Sequence, residues 1–278
     1  MKILITNDDS HRSPLLEVAM DYFSRMGEVY LVVPAHEQSW TGKRMTRFEP
    51  VHVTEKEIFG RKAFSVTGSP ADCANLGIFT LIGGRPDLVV SGINAGFNIG
   101  LGFLLSSGTV GACLEANLAG VPAIALSQAF DVATRNQYVD DYLIDGATLA
   151  RFRVHAERVL DIFLEQAFSD ECKRSVLETP ITWNINFPFK VNGESASLKI
   201  ARLGRAVYGQ CFAESSTLAG SSVRVFQHKL LQEVRDNDAT SDSTMVRSGV
   251  ATLSPINLWH LSGDTSYDGV IERVLSRF

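Results

Sequence analysis

Residues 2–10 read Lys2-Ile3-Leu4-Ile5-Thr6-Asn7-Asp8-Asp9-Ser10, a short apolar strand that stops at a polar, doubly acidic turn. A helical pattern follows over residues 14–26, with Leu15, Val18, Ala19, Tyr22, Phe23 and Met26 on one face. Ser13 is placed to cap that helix, and Pro14 suits its first position. Residues 29–33 are a continuous apolar run ended by Pro34, as expected of a strand buried on both faces. A strand, a helix and a second buried strand in such close succession predict a βαβ unit, with the acidic turn at the carboxyl end of its first strand.

The same rhythm continues outward. Residues 36–49 are polar and predict a long loop. Residues 63–66 read as a strand, after which Gly68-Ser69-Pro70 opens a helix through Asn75, Leu76 and Phe79. Residues 87–90 form the next strand and lead into Ser91-Gly92-Ile93-Asn94-Ala95-Gly96-Phe97-Asn98. Ser107-Gly108-Thr109 opens a helix running to about Ala119 and closed by Gly120, and residues 122–127 give a further strand. Together these elements predict an α/β fold, a Rossmann-like and mostly parallel sheet flanked by helices.

Beyond Gln128 the pattern loosens. Residues 140–165 carry a long amphipathic helical pattern, and residues 181–186 a strand able to join the same sheet. From about Lys190 to Asp242 the chain is polar, with short alternating stretches at 198–203 and 223–226. This predicts a β-rich C-terminal extension, an arm that needs a partner subunit to bury its apolar face. Residues 250–258 are strand-like and 267–278 helical. The expected division is a Rossmann-like catalytic domain over 1–189, with an oligomerisation arm and C-terminal helix over 190–278.

Bulk properties narrow the function. The chain has 278 residues, 45% of them hydrophobic, enough to bury a sizeable core. Its formal net charge is −5, from 31 acidic and 26 basic residues, which argues against a nucleic-acid polymer as partner. A small anionic substrate remains compatible, because a metal or a helix N-terminus can supply the positive field locally. Cys73, Cys113, Cys172 and Cys211 never pair as CxxC and read as free thiols. No apolar run approaches the ~18 residues a membrane span needs. With no signal-peptide core before Asn7, the expected location is the cytoplasm.

Three loops carry chemistry. Ligands of open α/β sheets bind outside the carboxyl ends of the strands, which is where Asp8 and Asp9 should lie. Adjacent carboxylates repel unless a cation or a shared proton relieves them. Asn94 and Asn98 follow another strand, in a loop whose glycines allow close backbone approach, although Asn-Gly loops are also simply turns. Asp8, Asp9, a hydroxyl and an asparagine oxygen make an all-oxygen set suited to Mg²⁺ or Mn²⁺. At Ser107-Gly108-Thr109, hydroxyls and first-turn N–H groups offer a phosphate cradle, or merely a capped helix. Lys43, Arg44 and Arg47 form a basic cluster that is either solvated or steers phosphate inward. His11 and His36 lie on loops near the expected site.

The Asn7-Asp8-Asp9 turn, Ser39, residues 68–73, residues 86–98 and Ser107-Gly108-Thr109-Val110 stand in the order and spacing of the SurE family, the stationary-phase survival proteins that act as nucleotidases. The match is dense over residues 1–128, with a late echo at Asp242 and at 249–255. The resemblance implies that Asp8, Asp9, Ser39 and Asn94 hold one divalent cation, Mn²⁺ or Mg²⁺. It implies that Asn98, Ser107, Gly108 and Thr109 surround the substrate phosphate, with Asp8 and Asp9 also in the catalytic role. Members resemble 5′- or 3′-nucleotidases that act on nucleoside monophosphates, some trimming polyphosphate, and they are typically homodimers or homotetramers whose arms exchange.

The chain departs from the family pattern at Ser10, Leu15 and Trp40, where glycines are usual, and at Ser106, where tyrosine is common. A catalytically degenerate homologue serving as an assembly protein is therefore the alternative. An Asp-x-Asp phosphatase is disfavoured because the aspartates are adjacent. A dinucleotide-binding domain is disfavoured because no GxGxxG follows the first strand.

Overall fold

The computed structural model describes residues 1–169, 173–190, 196–217, 222–229 and 233–278. In chain order its first half comprises β1 (Lys2–Thr6), α1 (Pro14–Phe23), β2 (Glu28–Pro34), β3 (Val53–Ile58), β4 (Arg61–Val66), α2 (Pro70–Leu76), β5 (Leu88–Ala95), α3 (Gly100–Ser106), α4 (Gly108–Leu118) and β6 (Ala123–Gln128). Then follow α5 (Val132–Asp141), α6 (Gly146–Ala167), α7 (Lys173–Glu178), β7 (Thr182–Phe187), β8 (Leu198–Ile200) and β9 (Val207–Tyr208). The last elements are β10 (Phe212–Thr217), β11 (Arg224–His228), β12 (Glu233–Val234), α8 (Asp242–Arg247), β13 (Ala251–Ile256) and α9 (Asp268–Leu275).

Among the described residues, nine strands form one sheet in the order β3-β4-β2-β1-β5-β6-β7-β13-β8. The run from β4 to β7 is parallel, while β3 and β13 are antiparallel to their neighbours β4 and β7. The fold is thus the mostly parallel, helix-flanked α/β sheet that the sequence predicts. Central strands β5, β6 and β7 are buried almost throughout, as strands covered on both faces must be. Edge strand β3 instead exposes Glu55, Lys56 and Glu57, charges that deter pairing with another sheet.

Side-chain alternation divides the core. Ile3, Ile5, Leu31, Val33, Leu88 and Val90 face the side covered by α1 and α6, where Phe23, Leu160, Phe163 and Trp183 are fully buried. Leu4, Val32 and Val89 face the opposite side, with Cys73, Val110, Cys113 and Ala116 of α2 and α4. Burial pushes both of those thiols far above the ordinary cysteine range, so neither is a ready nucleophile. Cys172 lies outside the described residues.

Several local expectations are revised. Ser13 precedes α1 in an extended conformation, but its hydroxyl makes no capping bond; Pro14 alone marks the start. Strand β3 and helix α3 had no clear signal in the sequence. β3 is a charged edge strand, and α3 begins in a glycine-rich loop. The amphipathic stretch over 140–165 is two helices, separated where Tyr142 takes a left-handed φ of 58°. Beyond residue 190, β8 and β13 extend the large sheet, while β10–β11 and β9–β12 form two small antiparallel pairs. Among the described residues no single helix is long and apolar enough to cross a membrane.

One buried carboxylate ties this C-terminal region to the sheet. Asp242, fully buried, accepts the backbone N–H groups of Gly100 and Gly204, each at 2.9 Å, and of Ser243 at 2.7 Å. Desolvation raises its pKa, and the amides oppose that rise. An amide in its place keeps only one acceptor oxygen for N–H groups that converge on two. Asp242→Asn is expected to lower stability by about 1–3 kcal/mol, read from the midpoint of urea denaturation.

Candidate active site

The sheet order creates the site. From β1 the chain moves outward through β2 to β4, then returns to place β5 on the other flank of β1. The carboxyl ends of β1 and β5 therefore bound the crevice at the topological switch point, where open α/β sheets bind ligands. Asp8 and Asp9 follow β1, and Asn94 lies at the end of β5.

Both carboxylates are only 3% exposed, and neither joins an ion pair among the described residues. Burial pushes the Asp8 carboxyl up to about 6 against the restraint of its Thr109 hydrogen bonds, with Glu37 adding repulsion. Asp9 is likewise held well above the ordinary carboxylate range, by burial and by the charge of Asp8. Tyr138 is close enough to Asp9 and Ser13 to feel them electrostatically, yet its buried hydroxyl makes no hydrogen bond of ordinary geometry. Two desolvated carboxylates without a cationic side chain, beside neutral oxygens, fit a hard divalent cation. The donor set is distinctive: among the described residues no three His, Cys, Asp or Glu side chains cluster as metal ligands. Neutral Ser and Asn oxygens would have to complete it.

The start of α4 closes over Asp8. Thr109 donates its hydroxyl to Asp8 Oδ1 at 2.8 Å and its N–H to Oδ2 at 3.2 Å. Ser107 is the N-cap, its Oγ accepting the Val110 N–H at 3.0 Å. Between them Gly108 leaves no room for a side chain: a Cβ there would lie 2.9 Å from Asp8 Cβ, 3.0 Å from Gln38 O and 3.1 Å from Pro70 Cγ. Gly108 is therefore the point where β1, the 38–42 loop, α2 and α4 meet.

On the other flank, Asp9 Oδ2 accepts the Ala95 N–H at 2.9 Å, which brings Asp9 beside Asn94. A one-residue bulge between Ser91 and Asn94 shifts the β5–β6 register, with Gly92 at φ 126° against the Leu126 carbonyl. Such a bulge re-aims the residues that follow it. Asn98 is buried and framed by residues of β6 and β7 that no sequence motif singles out. It donates Nδ2 to Ser127 Oγ at 2.7 Å and its N–H to Asn186 Oδ1 at 2.8 Å, and its carbonyl accepts from Asn184 Nδ2 at 3.0 Å. One amide N–H of the Asn98 side chain is thus spent on the scaffold.

Ser39 reaches the crevice through the backbone. The Gln38 N–H bonds to Asp8 O at 2.8 Å and the Gly42 N–H to Ser106 O at 2.9 Å, so the 38–42 loop bridges β1 to the α3–α4 junction with Ser39 exposed in it. Glu37, which belongs to no motif read above, accepts the Ser39 N–H at 2.8 Å. The basic cluster is otherwise engaged: Lys43 pairs with Glu115 at 2.6 Å and Arg44 with Glu49 at 3.4 Å, while Arg47 lies over Phe48. His11 is held toward its neutral form by burial and by the positive neighbours Lys56 and Arg12, and His36 is exposed. Ser69 and Asp72 form a reciprocal capping box at the start of α2, and Asp72 also accepts the Thr46 hydroxyl at 2.6 Å. That turn is scaffold for the neighbouring loop.

The family model for the survival protein SurE matches residues 3–210. The chain belongs to the SurE family. A protein from Methanosarcina mazei named 5′-nucleotidase SurE is 34% identical over 258 residues, 92% of each chain. One of the same name from Methanothrix thermoacetophila is 37% identical over 261 residues, again 92% of each. The crystal structure of the SurE protein from Aquifex aeolicus covers 98% of this chain with 97% of its own, at a TM-score of 0.66 and 23% identity, which shows a common fold.

Ser10 and Trp40, the positions at which the resemblance leads us to expect glycine, both adopt left-handed φ values, 70° and 63°. The backbone therefore keeps the glycine-like path while carrying side chains that disfavour it. Leu15, by contrast, is 1% exposed and simply adds to the core, and Ser106 bonds within its own helix, to the carbonyls of Gly102 and Phe103.

Ser10→Gly is expected to leave stability unchanged or raise it by up to about 1 kcal/mol, because strain relief offsets added chain entropy. Gly108→Ala should cost about 1–3 kcal/mol, since backbone and buried atoms must part to admit the methyl group. Urea denaturation of both variants checks the pair; a neutral Gly108→Ala would contradict the close convergence of the four segments.

Proposed function

We propose that this SurE family member is a divalent-cation-dependent phosphomonoesterase that hydrolyses nucleoside monophosphates. What carries the reading is the meeting of an unpaired, buried Asp8–Asp9 couple with the N-terminus of α4 at the switch point of the sheet. Relatives matched over 92% of this chain bear the name 5′-nucleotidase SurE, which favours the 5′-monoester as substrate. Activity on 3′-monophosphates and on polyphosphate is part of the same proposal.

In this reading Asp8, Asp9, Ser39 and Asn94 hold one Mn²⁺ or Mg²⁺. When bound, the cation supplies charge neutralisation at the phosphoryl oxygens. The chain's own groups do the rest. The α4 N-terminus offers the Gly108 amide and the Ser107 hydroxyl to the phosphate, where the helix dipole favours negative charge. Thr109, whose hydroxyl and N–H both donate to Asp8, borders the phosphate and holds that carboxylate in place. The second Nδ2 hydrogen of Asn98, left over after its bond to Ser127, would be available to a further phosphoryl oxygen. One carboxylate of the Asp8–Asp9 pair orients the attacking water. The frame of Ser127, Asn184 and Asn186 fixes Asn98 in place, so little rearrangement accompanies substrate binding.

The protein is further proposed to act as a cytoplasmic homodimer or homotetramer, with Phe212 and Phe226 of the arm, both exposed in the single chain, at the contact between subunits. The alternative, a degenerate assembly protein, rests on the residues at the usual glycine positions. It is weakened because Ser10 and Trp40 leave the backbone in the conformation glycine would take.

Phosphate release from a panel of nucleoside monophosphates, with Mn²⁺, Mg²⁺ or EDTA, tests the proposal. Turnover is expected with either metal, to vanish in EDTA and to return on adding Mn²⁺. Asp9→Asn should lower kcat/KM by at least about 100-fold, the scale on which lost transition-state charge stabilisation is felt. Folded wild-type protein that releases no phosphate with any metal would favour the assembly role.

A further inference from the structure

Trp40 is left without a task by the chemistry above. It is the middle residue of the loop that joins β1 to the α3–α4 junction, one position after Ser39, and it keeps a left-handed backbone that a bulky residue disfavours. Its side chain packs among aromatic rings. Its ring lies 4.8 Å from that of Tyr208 and 4.8 Å from that of His228, with Phe103 at 6.0 Å. Phe103 in turn meets Phe97 at 5.1 Å, and Phe97 immediately precedes Asn98. Each of the two loops assigned to cation and phosphate thus carries an aromatic residue next to its polar one, Ser39–Trp40 and Phe97–Asn98, and these aromatics converge on the same side.

The cluster is not a closed core. Trp40 remains 42% exposed and His228 is exposed, while Phe103, at 7%, forms the floor. A large, half-exposed indole on a backbone it strains, backed by Tyr208 and His228 from the C-terminal strands, is a platform with an open face. Flat, weakly hydrated rings are what such a face retains, and stacking of a base on an aromatic side chain tolerates any base.

We propose that the exposed face of Trp40, supported by Tyr208 and His228, is the surface on which the nucleobase of the substrate stacks. The inference rests on the reading of the chain as a nucleotidase and adds where the nucleoside half of the substrate goes. The competing place is a polar cleft of about 430 Å³ lined by Gln38, Arg44, Thr46, His52, Thr67 and Ser69. That cleft offers hydrogen bonds, whereas the Trp40 face offers stacking. The two differ in how much the identity of the base should matter.

Trp40→Gly removes the ring while supplying the residue best suited to φ 63°. Kinetics of this variant are compared on AMP and on ribose 5-phosphate, which carries the same phosphate and sugar without the base. The expected result is a selective loss: the ratio of kcat/KM for AMP to that for ribose 5-phosphate falls by about 5- to 150-fold, mostly through the KM for AMP. Trp40→Phe, which keeps a stacking ring, should retain most of the ratio. Equal losses on both substrates would mean that Trp40 only shapes the loop and would overturn the proposal. No loss on either substrate would also overturn it and move the base to the polar cleft.

A second readout separates this inference from the catalytic one. Adenosine, which has no phosphate to hydrolyse, should quench the part of the indole emission that wild type has and Trp40→Phe lacks. Quenching in a protein that turns over no substrate would refute the phosphatase reading and uphold the platform; absence of quenching in an active enzyme would do the reverse.

Discussion

Two carboxylates held side by side out of water are the constraint around which the molecule is arranged. Asp8 and Asp9 follow β1, an interior strand of the sheet, and their mutual repulsion and desolvation must be offset locally. The offset comes from opposite directions. Thr109 donates to Asp8 from the first turn of α4, and the Ala95 amide donates to Asp9 from the end of β5. A helix N-terminus and a strand end are both sources of backbone N–H groups, so the acidic pair fixes how α4 and β5 must meet β1. Gly108 has no space for a side chain because this meeting is so close.

From that centre, restraint spreads in shells. Asn98 is oriented by Ser127, Asn186 and Asn184, residues of the next two strands. Asp242 reaches in from α8 to hold the start of α3 and the turn at Gly204. Residues beyond 190 are therefore bonded into the scaffold of the crevice, besides supplying Tyr208 and His228 to the aromatic cluster beside it. Backbone strain appears at the rim, at Ser10 and Trp40, where packing contacts over-determine a conformation that the residue type would not choose.

Much of this was readable beforehand. The central strands announced themselves as unbroken apolar runs, and the starts of α2 and α4 through Ser-Pro and Ser-Gly, because alternation and capping act within a few residues. Strand β3 was missed because its exposed, charged face carries no apolar period, and α3 because it begins among glycines. The capping role expected of Ser13 failed for a different reason: the extended backbone is present, but no geometry brings its hydroxyl to an N–H.

By itself, then, the sequence determined the fold class, the placing of an acidic pair after the first strand, and the candidate residues around it. Each is a property of short windows, set by side-chain period, chain stiffness and local hydrogen bonding. Only the tertiary structure decided which residues touch. Thr109 bonds Asp8 across 101 positions of chain, Asn186 bonds Asn98 across 88, and Gly100 bonds Asp242 across 142. Glu37, Ser127 and Asn184 became parts of the site in the same way. Such pairings follow from the order of strands in the sheet, which is settled by the burial of all the apolar faces together and so is written in no single segment.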